Sequence, residues 1–214
     1  MMVFRKGRCR AGIVLSAVAM LSFGGGAAVA ADKTFTLATE GKPAASVVLA
    51  EDANRAARFA AKELQLHVKK ISGAVLPIVT DADAATGQPI LVGSSPATRA
   101  LGLANDDFGR QEYIIRFTPD ALVLMGRDKV DPGEPEMAYV DNPGASRTWP
   151  SVWDEQGTMY AVYDFLRDYC GVRWFNPTDV GTVCPKKATL KVTGDEVRRE
   201  PFMWYRGGTM ISRP

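Results

Sequence analysis

The chain has 214 residues, with 26 Lys+Arg against 24 Asp+Glu, one histidine, three cysteines and 46% hydrophobic residues. That length holds one domain with a full core plus a remainder. A single histidine and no HExxH motif exclude a His-rich zinc hydrolase, and the lack of a basic patch interleaved with aromatics excludes nucleic acid as a partner.

Residues 1–30 read as an export signal peptide. Arg5, Lys6, Arg8 and Arg10 precede an apolar run over 11–23, and Ala28-Val29-Ala30 fits the small-x-small cleavage rule, which puts the cut before Ala31. The competing reading is an N-terminal membrane anchor, but the run falls short of the ~20 apolar residues of a spanning helix. The signal holds four of the 26 basic residues and none of the acidic ones, so the mature chain carries a slight negative excess. The mature protein is expected to be exported, periplasmic or extracellular, with no stable membrane span.

Residues 33–50 contain two strand-like runs around a Gly-Lys-Pro turn. Over 51–73 the period changes: Ala56, Phe59, Ala60, Leu64, Val68 and Ile71 fall on one helical face, with Asp52 as the N-cap and Gly73 just past the end. "AVLPIVTD" and "QPILVGSS" are short strands, and Ser95-Pro96 opens a short helix. Residues 112–127 form a hairpin of alternating apolar residues turned by "TPD". Residues 127–156 lack periodicity and are rich in Pro, Gly and Asp. A loop so long in a compact domain has a task or is disordered, and Trp149 and Trp153 argue against simple disorder. Val162, Phe165, Leu166 and Tyr169 stripe a second helix over 158–171. A short strand "VRWFNP", an extended turn "DVGTVCP", and a final strand with linker over 188–201 follow. The pattern predicts an α+β fold (an α/β sandwich), with one mixed β-sheet and two main helices packed on one face.

No complete active site emerges. His67 sits at the edge of the first helix's apolar face and reads as a structural residue. "GSSP" over 93–96 reads as a helix cap, because it lacks the P-loop lysine and the GxGxxG pattern. Asp81 with Asp83, and Asp106 with Asp107, lack calcium-loop spacing. Asp164 and Asp168, four apart on the second helix, read as a solvated face. Cys170 and Cys184 either pair, as an exported chain permits, or remain buried thiols. No catalytic residue, metal site or cofactor is expected within this chain.

Four stretches carry a resemblance: "AARFAAKELQLHVKKISGAVLPIV" (56–79), "ILVGSS" (90–95), "GTMYAVYDFLRDYCGVRWFNPTDVGTVCP" (157–185) and "REPFMWYRGGTM" (199–210). Their order and spacing resemble the N-terminal accessory domain that precedes the catalytic barrel in family 20 β-N-acetylhexosaminidases and family 67 α-glucuronidases. They look most like a related bacterial group of exported proteins that carry the same domain. The resemblance runs over most of 34–200, and the stretch 157–185 is its most specific part. It implies a non-catalytic α+β domain over 31–198, with 199–214 as the start of a (β/α)8 barrel whose remaining strands lie beyond this chain. The chain then reads as a fragment or a truncated gene product.

In the hexosaminidases an arginine of a Tyr-Arg-Gly turn on the first barrel strand holds sugar hydroxyls. Arg206 in "WYRG" matches that position and is the candidate substrate contact, against the reading of an ordinary surface arginine. The family pattern continues with Asp and Arg. Here Ser212 stands in place of that Asp, a departure from N-acetylhexosamine recognition. Trp149 and Trp153 are candidates for sugar stacking or for burial against the barrel. The expected function is the bracing domain of an exported glycoside hydrolase in carbohydrate degradation, whose partners are the C-terminal barrel and, through it, a carbohydrate. The alternative is a free-standing carbohydrate-binding or interaction module.

Overall fold

The computed structural model describes residues 33–80, 82–137, 143–176 and 178–201. In chain order the elements are β1 (Lys33–Thr39), β2 (Lys42–Pro43), β3 (Ala45–Val48), α1 (Arg55–Ser72), β4 (Ile78–Val79), β5 (Gln88–Val92), α2 (Pro96–Ala100), β6 (Tyr113–Phe117), β7 (Leu122–Gly126), α3 (Gly157–Asp168), β8 (Arg173–Trp174), β9 (Thr182–Val183), β10 (Leu190–Gly194) and β11 (Glu196–Arg199). Short 3-10 turns lie at Ala82–Ala84, Asn105–Asp107 and Pro143–Thr148.

Six strands form a mixed sheet in the order β11-β6-β7-β5-β3-β4. β3 runs parallel to β4 and β5, and β5 parallel to β7; β6 and β11 are antiparallel to their neighbours. Because strand side chains alternate, β7 feeds two cores. Leu122 and Leu124 join Ala60, Leu64 and Val68 of α1 and Val162 and Phe165 of α3. Val123 and Met125 point the other way, onto Leu103 and Phe108. The fold is thus the expected α+β class, with both long helices on one face. The opposite face is covered by the segment carrying α2 and its flanking turns. Each fully buried large side chain, such as Phe165, contributes about 1.5–3 kcal/mol.

Four local expectations need revision. The N-cap of α1 is Asn54, not Asp52, and its side chain makes no capping bond. Its Oδ1 instead accepts from Asp131 N, 3.2 Å away in the long loop. β1, β2 and β10 form a separate three-stranded sheet rather than joining the main one. β8 and β9 pair into a hairpin, so the extended turn contains a strand. The 188–201 stretch holds two strands: β11, expected to be a linker, is the edge of the main sheet. Gly73 ends α1 as expected, at φ +83° with its N–H on Lys69 O. The Ser95 cap also forms, since Ser95 Oγ accepts from Thr98 N and Thr98 Oγ1 from Ser95 N.

Candidate functional site

The long loop is bound to α1 by the cations of that helix's polar face. Arg55 Nη1 donates to Thr148 O at 3.0 Å and Nη2 to Asp131 at 3.1 Å. Glu134 sits between Arg58, at 3.2 Å, and Lys62, at 2.5 Å, which hold its carboxyl below the usual range, Lys62 most strongly. Trp149 packs edge-on to Phe59 with centroids 5.2 Å apart, and its Nε1–H donates to Glu136 O at 2.7 Å. Trp153 remains 68% exposed. The structure therefore separates the two candidate tryptophans: one is built into the loop's attachment and the other is presented to solvent. Arg206 lies outside the described residues.

A second cluster forms where the chain leaves the sheet. Tyr113 on β6 donates its hydroxyl to Asp164 on α3. Arg199 on β11 reaches Asp164 at 2.6 Å and Asp168 at 3.0 Å, and Arg167 reaches each of them at 2.7 Å. Hydrogen bonding from Arg167, then from Arg199, holds the Asp168 carboxyl low against partial burial. Burial and the Asp164 charge push the Tyr113 phenol up. Asp164 and Asp168 are thus no solvated face. Each carboxylate is matched by two guanidiniums, from Arg167 and Arg199. The cluster is a clamp joining β6, α3 and β11, and it floors a cleft of about 240 Å³ walled by Tyr160, Glu200 and Pro201.

His67 is buried between the helices with both ring nitrogens engaged. Nδ1 lies 2.9 Å from Glu63 O, and Nε2 accepts from Trp174 Nε1–H at 3.2 Å. That matches a structural histidine rather than a catalytic base. Beside it, burial pushes the Glu63 carboxyl up, opposed first by His67. Asp128 is buried at the start of α3, where Oδ1 accepts from Thr158 N at 2.9 Å. Burial drives its carboxyl up to about 7, against the hydrogen bonds from Thr158. Cys170 and Cys184 are free thiols in this structure, and burial raises both, Cys170 to about 12. Among the described residues no group of three or more His, Cys, Asp or Glu is placed to hold a metal ion. Among them, too, no helix is long and apolar enough to cross a membrane.

No protein-family model and no curated protein matches the sequence. The fold does match solved structures. A family GH115 4-O-methyl-α-glucuronidase with specificity for decorated arabinogalactans superposes with TM-score 0.55 at 20% identity, over 80% of this chain and 19% of its own. The GH20 β-N-acetylhexosaminidase of Streptomyces coelicolor A3(2) matches at TM-score 0.43 and 12% identity, over 79% of this chain and 24% of its own. A Streptomyces plicatus β-hexosaminidase matches at TM-score 0.37 and 12% identity, over 79% of this chain and 24% of its own. The fold is that of an α+β domain found within the solved GH115 enzyme. This chain spans about a fifth of the length of the GH115 enzyme.

Proposed function

We propose that residues 31–198 form the non-catalytic accessory domain of an exported glycoside hydrolase, and that the domain braces a catalytic barrel beginning near residue 199. The observation carrying this reading is the recurrence of the fold as 19% of a solved α-glucuronidase. The resemblance of 157–185 and 199–210 to domains that precede such barrels supports it. So does the pairing of carboxylates: Glu112, Asp131, Glu134, Asp164 and Asp168 are each matched to Arg or Lys, an arrangement suited to structure rather than proton transfer. Sequencing the gene downstream of Pro214 tests the reading. A long open frame whose product cleaves aryl-glycosides is expected, and an immediate stop codon would overturn it.

Exposed Trp153 favours a second reading, a carbohydrate-binding module, because a largely exposed indole suits contact with a sugar ring. Affinity electrophoresis on polysaccharide gels tests it, with retention lost in Trp153→Ala.

A further inference from the structure

We infer that the β8–β9 hairpin is the docking surface for the polypeptide that follows Pro201. This rests on the reading above, in which that polypeptide is the catalytic barrel.

The hairpin presents Phe175 at 77% exposure, Val180 at 96% and Val183 at 50%. Single exposed apolar residues are ordinary on a protein surface, whereas three on one short hairpin mark a contact. The hairpin is also held firmly. Trp174 sits edge-on to His67 and Tyr163, with centroids 5.3 and 5.4 Å away, and hydrogen-bonds His67. Asp179 pairs with Lys70 at 2.8 Å. The turn is closed by Phe175 N on Gly181 O at 2.8 Å and by Gly181 N on Thr178 Oγ1 at 3.1 Å. A fastened hairpin with bare apolar tips loses little freedom when it is covered.

The occupant follows from where the chain departs. Glu200 and Pro201 wall the cleft over the Asp164–Arg199 clamp. Arg167 belongs to both places. Its guanidinium lines that cleft, while its carbonyl accepts from Arg173 Nη1 at the base of the hairpin, 2.5 Å away. Glu200 and Pro201, the last described residues, therefore lie beside the α3 turn that anchors the hairpin. A tethered neighbour acts at high effective concentration, so a small apolar patch suffices to seat it. In the solved GH115 enzyme the matched fold is 19% of the chain, which leaves the bulk of the protein to provide the covering surface.

The test is maleimide labelling in a Cys9→Ser, Cys184→Ser background. Val180→Cys is compared with Leu101→Cys, an exposed position in the segment covering the opposite sheet face. Each is measured in the 214-residue chain and in the same chain extended through its downstream reading frame. The expected result is labelling of Val180→Cys slowed at least about tenfold by the extension, with Leu101→Cys unchanged. Equal Val180→Cys rates in the two lengths overturn the inference. Protection in the 214-residue chain that grows with protein concentration also overturns it, because the occupant is then a second copy. Turnover of aryl-glycosides is read on the same samples. Turnover without protection leaves the hydrolase reading standing and removes this surface; protection without turnover does the reverse.

Discussion

Asp128 provides a quantitative test of how burial and helix capping compete. Its carboxyl is buried at the N-terminus of α3 and accepts from Thr158 N at 2.9 Å, while the Asp128 backbone N–H donates to Asn105 Oδ1 at 2.9 Å. Burial raises it from 3.8 to about 7, helped by the Glu155 charge. A group whose folded value lies above its unfolded value contributes stability that is fully present below pH 3.8 and is lost as pH rises through 7. The whole shift corresponds to about 4 kcal/mol, of which about 2.5 kcal/mol falls between pH 5 and pH 8. The positive end of α3 favours the ionised form, so these figures are upper bounds. Asp128→Asn keeps a carbonyl for Thr158 N–H and places an NH2 where the protonated acid has its O–H, without titrating. Urea unfolding of both proteins is measured from pH 5 to pH 8. The stability of the variant relative to the parent is expected to rise by about 1–2.5 kcal/mol over that range. A difference that stays flat within about 0.5 kcal/mol would show that Asp128 ionises as it would in water, and the burial argument fails.

Three further outcomes follow from the packing. In Gly157→Ala the new Cβ would lie 2.5 Å from Glu112 O and 2.7 Å from Arg127 N; a loss of about 1–3 kcal/mol is expected in denaturant unfolding, and no loss refutes the close approach of α3 to β6 and β7. Trp149→Ala is expected to cost about 1–3 kcal/mol through the Phe59 contact and the Glu136 bond, and exposed Trp153→Ala less than about 0.5 kcal/mol; thermal unfolding that ranks them in reverse refutes the loop attachment. With a thiol reagent at pH 8, Cys184 is expected to react in the native protein and Cys170 only after unfolding; equal native rates refute the burial of Cys170, and a mass lower by two hydrogens, restored by reductant, establishes pairing instead.

Features built from neighbours along the chain were legible in the residues. The apolar stripes of α1 and α3, the β6–β7 hairpin, the Ser95-Pro96 cap and the Gly73 stop each depend on residues within a few positions of one another. β11 was not legible. Its sequence, Glu196-Val197-Arg198-Arg199, carries little apolar signal because an edge strand needs none on its outer side. The second, small sheet was hidden for a related reason: β1 meets β10 across more than 150 residues, and a strand's pattern does not name its partner.

The polar residues divide in the same way. Arg55, Arg58 and Lys62 occupy the face of α1 that sequence assigns to solvent, and only the fold brings Asp131, Glu134 and Thr148 onto them. Asp164 and Asp168 likewise become a clamp only when Arg199, more than thirty residues later, closes over them. By itself the sequence determined the class of fold, the two helices and the hairpin, since burial periodicity is a local property of the backbone. The tertiary structure alone decided which charges meet, which tryptophan is held, and which apolar hairpin is left uncovered. Those outcomes depend on distances between residues that the chain order keeps far apart.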